Sequence, residues 1–309
     1  MAVTDLGKIY IVWVNTQGGG DVHFTMSIDH GQTFTNFSTV NQVENHAITI
    51  GFSGPQIEVW RDTIHVIWSD QRNGYDHSTI YYARSIDQGL TWEEMRIGYP
   101  NGVNFYPELL IDSQGILHAS FHYYLPGSFA YQYIAHTYSS NGGESWSNFN
   151  IVSDYESGEP CDCCPVELHE MPDGKIINGF RNNENDIRDM FSMDWHPEDS
   201  SWINLSPMSY DDYFVNYCPT SGPSLVSLDS TVAMAYMSET NSENRIFLTL
   251  SHDLGDTFSV RIPMELTSGV NYHQNHPSAV MTQDGNIHVI WEDSRNFGNI
   301  LYSVLELGH

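Results

Sequence analysis

A chain of 309 residues with 39 acidic against 11 basic side chains carries a formal charge of −28, a field that repels phosphate backbones and anionic lipid surfaces. Nucleic acid is therefore excluded as an expected partner, and no apolar run approaches the ~18 residues of a membrane-spanning helix. The aromatic content (Trp 8, Tyr 18, Phe 14) together with Gly and Asn/Asp turn clusters points to β-strands.

In chain order, Ala2-Val3 reads as the stub of a first strand, and an apolar strand ends on Trp13. The segment Ser27-Ile-Asp29-His-Gly31-Gln-Thr33-Phe34 follows. Its pattern, S-x-D-x-G-x-T-aromatic, returns from Ser85 to Trp92, from Ser139 to Trp146 with Asn141 at the acidic position, and from Ser251 to Phe258. The spacings are 58, 54 and 112 residues. The last is a double period, so a decayed copy is expected between the third and fourth, and Ser192-Met-Asp194 is its candidate. A second series runs in step: apolar strands end on Trp13, Trp68, Phe121, Phe180, Tyr236 and Trp291. Two interleaved periodic series predict six repeated units, approximately 1–45, 46–100, 101–155, 156–212, 213–268 and 269–309. The second unit predicts strands at 54–59, 64–68 and 79–84, and the sixth at 277–280, 287–291 and 300–303. The sixth unit shows no clear fourth strand, so ring closure and open edges at the chain ends become questions for the structure.

Within the repeated segment, the Asp side chain is suited to accept backbone N–H bonds, and Gly supplies a positive φ. The motif resembles the Asp box of sialidases and related BNR-repeat propellers, and the resemblance covers almost the whole chain. It implies an all-β, six-bladed β-propeller with Asp boxes on the turns between third and fourth strands. It also implies that Asp29, Asp87, Asn141 and Asp253 are structural. The expected architecture is a single domain, 1–309.

Propeller geometry places the loops from second to third strand, and from fourth strand to the next blade, on the face opposite the boxes. Those loops carry a polar and aromatic set. Sialidases grip a carboxylate with three arginines, and Arg72, Arg181 and Arg295 come from alternate blades. Arg72 and Arg295 lie in repeated Asp-x-Arg units, Asp70-Gln-Arg72 and Asp293-Ser-Arg295, for which a structural salt bridge is the simpler reading. Arg181 and Arg188 lie outside the repeat. The sialidase Arg-Ile-Pro signature is missing from its expected place near the start; Arg261-Ile-Pro263 is the one such tripeptide. Expected ligand-binding residues are Arg181, Arg188, His122, Tyr123, Arg72, Arg295, His273 and His276. Sialidases also use a Tyr–Glu pair and an Asp acid/base, for which Tyr217, Glu239 and Asp70 are the candidates. The histidines His65, His118 and His288 recur within second strands and read as packing groups.

All four cysteines fall in Cys161-Asp-Cys163-Cys164 and Cys218-Pro219. The pair resembles one in exported Asp-box proteins. Three readings compete: disulfides, a soft-metal site for Cu(I) or Zn, and a catalytic thiol. Disulfides rank first, with Cys218 joined to Cys161, Cys163 or Cys164 and a vicinal Cys163–Cys164 bridge as one option. No cofactor or resident metal is expected. The functional expectation is a secreted, periplasmic or cell-surface propeller that recognises, and as a further step hydrolyses, a carbohydrate or other small polar ligand. A non-catalytic or self-assembling propeller and a metal-handling propeller are the alternatives.

Overall fold

The computed structural model describes residues 1–4, 6–16, 19–49, 53–125, 132–154, 159–240, 242–265, 272–295 and 298–307. The chain is all-β, with six successive antiparallel sheets, and its fold class is the six-bladed β-propeller. Its contacts divide into two compact units, Met1–Ile151 and Val152–His309.

The first unit holds three sheets. The first is β1 (Ala2–Val3), β2 (Ile9–Val14), β3 (Val22–Ser27) and β4 (Ser38–Thr39). The second is β5 (Ala47–Ile48), β6 (Gln56–Trp60), β7 (Thr63–Asp70), β8 (Thr79–Ser85) and β9 (Glu93–Arg96), with β5 and β6 both paired to β7. The third is β10 (Val103–Ile111), β11 (Leu117–Tyr124), β12 (Gln132–Ser139) and β13 (Asn150–Ser153). Second strands such as β7 and β11 are buried along almost their whole length, because each is covered on both faces. Their polar members, such as His65, His118 and Ser120, are therefore buried along with the apolar ones. Trp68, Ile64 and Val66 pack with Phe24 and Val22; Ile67 and Tyr82 pack with Leu109 and Phe121.

The second unit holds β14 (Glu167–Glu170), β15 (Ile176–Arg181), β16 (Met190–His196) and β17 (Ser201–Pro207) in one sheet. A second sheet is β18 (Ser224–Leu228), β19 (Thr231–Thr240), β20 (Glu243–Ser251) and β21 (Ile262–Pro263). The third has only β22 (Gln274–Met281), β23 (Ile287–Asp293) and β24 (Asn299–Leu305), so β24 is an open edge among the described residues. Gly308 and His309 lie outside the described residues.

Each intact box closes the turn from third to fourth strand by one bonding scheme. In the second blade Ser85 Oγ donates to Asp87 Oδ1 at 2.8 Å and accepts from Gly89 N at 2.8 Å. Asp87 Oδ1 accepts from Thr91 N, and Oδ2 from Thr91 Oγ1 at 2.6 Å. The carboxylate thus reaches four residues along, further than the one or two a simple Asx turn spans. Those hydrogen bonds hold Asp29, Asp87 and Asp253 down at about 2. Asn141 keeps the scheme, its amide donating to Ser145 Oγ. Gly89 sits at φ +81°, and a Cβ there would meet the Phe24 ring at 2.3 Å, so glycine serves both the turn and the packing of the adjacent blade.

The decayed fourth copy is not at Ser192-Met-Asp194. In four blades the second-strand aromatic pairs with the residue four before the box serine: Trp13 with His23, Trp68 with Tyr81, Phe121 with Ala135, Tyr236 with Phe247. In the fourth blade Phe180 pairs with Phe191, so the box position begins at Trp195. Trp195 lies 56 residues from both Ser139 and Ser251, and the segment ends Ser201-Trp202, which keeps the end of the box pattern. Ser192 and Asp194 are strand residues of β16. The turn now closes by strand pairing and by Trp195 against Trp202, with ring centroids 5.4 Å apart.

The second-strand histidines pair sideways with third-strand groups. His65 Nδ1 meets Tyr82 Oη at 2.7 Å, His118 Nδ1 meets His136 Nε2 at 3.0 Å, and His288 Nδ1 meets Tyr302 Oη at 2.6 Å. Burial pushes His65 down to about 4, so it is neutral at ordinary pH.

Candidate functional site

The cysteine segment is held against the end of β15. Pro160 bridges Asn182, and Cys161 N donates to Arg181 O at 2.8 Å. Cys163 and Cys218 form a disulfide with Cα atoms 6.1 Å apart and a sequence separation of 55. The vicinal Cys163–Cys164 option is therefore not the one adopted, because Cys163 Sγ is committed to Cys218. Cys161 and Cys164 are buried thiols with Sγ atoms 3.1 Å apart, and Cys161 Sγ lies 3.7 Å from Cys163 Sγ. The sulfurs of Cys161, Cys163 and Cys164 all lie within 4.8 Å of one another, a spacing that would suit a thiophilic ion if all three were reduced.

Arg188 donates from Nη1 to Cys161 Sγ at 2.9 Å. Burial opposes ionisation of Cys161, but the Cys164 thiol and the Arg188 and Arg181 charges outweigh it and bring Cys161 down to about 7. Burial and the neighbouring Cys161 sulfur push Cys164 up. The two thiols therefore share one readily lost proton.

Both non-repeat arginines come together here, and both point inward. Arg181 donates to Ser221 O at 2.9 Å, Arg188 O at 2.6 Å and Met237 O at 2.7 Å, and is 1% exposed. Arg188 donates to Val215 O as well as to Cys161. Their donors tie β15, β19, the segment before β14 and the loop after β17 together. A ligand carboxylate would have to displace backbone carbonyls to reach Arg181.

The arginines support a tyrosine corner. Arg181 lies 5.5 Å from the ring of Tyr213, which is 3% exposed. Tyr213 Oη donates to Asn244 Oδ1 at 3.3 Å, and its hydroxyl feels the neighbouring Tyr217 and the charge of Glu239. Burial first, and these neighbours after it, raise the Tyr213 hydroxyl well above the ordinary range, so it stays a neutral donor. Tyr217 is 53% exposed. Glu239, half-buried at the end of β19, accepts from Ser242 N at 3.1 Å. Asn244 N donates to His273 Nδ1 at 3.2 Å. Tyr217, Glu239 and His273, expected from sequence, thus gather around Tyr213 and Asn244, which were not. The signal for Tyr213 is the aromatic-acidic run Tyr210-Asp-Asp-Tyr213-Phe-Val-Asn-Tyr217.

The remaining candidates are placed elsewhere. His276 Nδ1 meets Glu292 at 3.0 Å, while Asn275 donates to Pro219 O and so steadies the Cys218 loop. Arg295 is gripped by Asp293 through Nε and Nη2 and by Glu265. In the first unit, Arg72 is gripped in the same way by Asp70 and Glu94. Both Asp-x-Arg units are therefore bidentate salt bridges, each guanidinium resting on a tyrosine, Tyr81 at 3.7 Å and Tyr272 at 4.1 Å. Asp70 is fully buried and also accepts from Trp68 Nε1, which leaves its carboxylate spoken for as a catalytic acid. His122 and Tyr123, also in the first unit, are buried among Tyr106, Tyr124 and Tyr99. Arg261 of the displaced Arg-Ile-Pro tripeptide pairs with Asp211 at 3.2 Å.

The BNR repeat-like domain model matches residues 56–289, most of the chain, with the third to fifth sheets in full and the second and sixth in part. The chain belongs to the BNR repeat-like family. No curated protein matches it in sequence. Among solved structures, this BNR-repeat chain is similar to the GH93 α-L-arabinofuranosidase of Fusarium graminearum in complex with arabinobiose, with TM-score 0.66 and 14% identity over 99% of this chain and 91% of that one. It is similar to a Dyadobacter fermentans protein of unknown function, with TM-score 0.59 and 14% identity over 97% and 83%. It is also similar to the Trypanosoma rangeli sialidase in complex with sialic acid, with TM-score 0.58 and 13% identity over 98% and 52%. At these identities the likeness is one of fold.

Proposed function

We propose that this chain is a sialidase-like propeller that recognises a carbohydrate, and that the corner formed by Tyr213, Tyr217 and Glu239 takes the sugar. One observation carries the reading: the exposed ring of Tyr217 neighbours the buried Tyr213 hydroxyl, beside a half-buried carboxylate. A tyrosine ring offers an apolar face to the C–H side of a sugar. The Tyr217 hydroxyl, Glu239 and Asn244 offer convergent polar groups for its hydroxyls. Fold likeness to proteins whose structures hold arabinobiose or sialic acid supports a sugar ligand by analogy. The Cys163–Cys218 disulfide supports an exported setting.

A glycan array run beside a hydrolysis screen tests the reading. The parent should bind a defined subset of glycans, with Tyr217→Ala and Glu239→Gln weakening that binding by about tenfold or more. Hydrolysis, if it accompanies binding, should be lost in Glu239→Gln. Equal binding by parent and both variants, or no bound glycan at all, defeats the assignment.

A second reading, self-assembly, is favoured by the β24 edge, where Ile300 and Tyr302 are exposed. Light scattering on the purified chain distinguishes it: a monomer at all concentrations removes it.

A further inference from the structure

We propose that Cys161 and Cys164 are the reducing half of an internal thiol–disulfide couple whose oxidised half is Cys163–Cys218. Four sulfurs stand in a row of short steps: Cys164 to Cys161 at 3.1 Å, Cys161 to Cys163 at 3.7 Å, and Cys163 bonded to Cys218. At one end the row is sealed in the core, since Cys161 and Cys164 are buried. At the other it reaches the half-buried Cys163 and Cys218 beside exposed Asp162. The attacking species in such chemistry is a thiolate. Arg188 supplies the positive charge that favours one, and it addresses Cys161, the sulfur in the middle of the row.

The exchange balances without an outside oxidant. The Cys161 thiolate attacks Cys163 Sγ; the Cys161–Cys163 bond forms, the Cys163–Cys218 bond breaks, and the electron pair leaves on Cys218. Cys164 Sγ then attacks Cys161 Sγ. The Cys161–Cys164 bond forms, the Cys161–Cys163 bond breaks, and its electron pair leaves on Cys163. The proton lost by Cys164 ends on the Cys163/Cys218 pair. One buried thiolate and one buried thiol become one outer thiolate and one outer thiol. The reducing equivalents of a sealed dithiol are thereby delivered to the half-buried pair, where a small external disulfide can collect them.

The four-cysteine chain is brought to one disulfide and two thiols by two routes, limiting phosphine on oxidised protein and limiting oxidant on reduced protein. It is held folded without oxygen, quenched in acid denaturant with N-ethylmaleimide, and mapped by peptide mass spectrometry. The expected result is label on Cys163 and Cys218 as well as on Cys161 and Cys164, in one ratio whichever route was taken. Cys161→Ser should abolish label at Cys163 and Cys218. Cys164→Ser, which stops the sequence after its first step, should confine label to Cys161 and Cys218. Label confined to Cys161 and Cys164 in the parent would overturn the proposal, as would ratios that keep the memory of their route. So would a stoichiometric metal ion that leaves only on denaturation, because the sulfurs would then be a metal centre.

Discussion

Arg188 donates to the sulfur of Cys161 across 2.9 Å in the interior of the second unit, so one thiol of a buried pair is held ready to lose its proton while the other keeps it. In the reduced pair, thiolate absorbance should titrate near 7 rather than near the ordinary 9.0. Arg188→Gln should move that step upward, and Cys161→Ser should remove it. A parent whose first thiolate appears only at the ordinary value contradicts the electrostatic account.

The disulfide between Cys163 and Cys218 closes a loop across 55 residues. Cys218→Ser should cost about 4 kcal/mol by the chain-entropy argument. Equilibrium unfolding in denaturant measures it; a loss under about 1 kcal/mol would mean the bridge constrains little of the unfolded chain.

The buried salt bridge of the second blade gives a sharper mutational contrast. Arg72→Ala leaves Asp70, whose side chain is 0% exposed, without its bidentate partner. The expected loss is about 3 kcal/mol, the cost of an uncompensated buried carboxylate. Replacing Asp70 and Arg72 together by apolar residues should cost less than the single change.

The boxes set an acid limit. Asp29, Asp87 and Asp253 are held at about 2, below the ordinary 3.8, by hydrogen bonds made to their charged form. A depressed carboxylate contributes stability above 3.8 and loses it as pH falls toward about 2. Asp87→Asn should keep the turn, as Asn141 does naturally, and should flatten the stability profile across that window. An unchanged acid limb in a triple Asp→Asn chain would assign acid sensitivity to other groups.

Much of this was open to sequence reading because it is periodic. The box serines, the second-strand aromatics and the six sheets follow from spacing and composition. The altered fourth box was misplaced for a physical reason: Ser192-Met-Asp194 keeps the letters, but register, fixed by Phe180 opposite Phe191, puts the turn at Trp195. The inward turn of Arg181 could not be read, because its partners are the carbonyls of Ser221 and Met237, and a carbonyl has no residue signature. Cysteine count and loop adjacency led to Cys218 joining the cluster, yet only geometry selects Cys163.

The central claim is that the Tyr213–Tyr217–Glu239 corner is where a sugar binds. The most direct measurement is saturation-transfer or calorimetric titration of the best array glycan into the parent and into Tyr217→Ala, with folding checked by circular dichroism. Recognition at this corner predicts saturable binding by the parent and a loss of about tenfold or more in the folded variant. A folded Tyr217→Ala that binds the same glycan with unchanged affinity contradicts it.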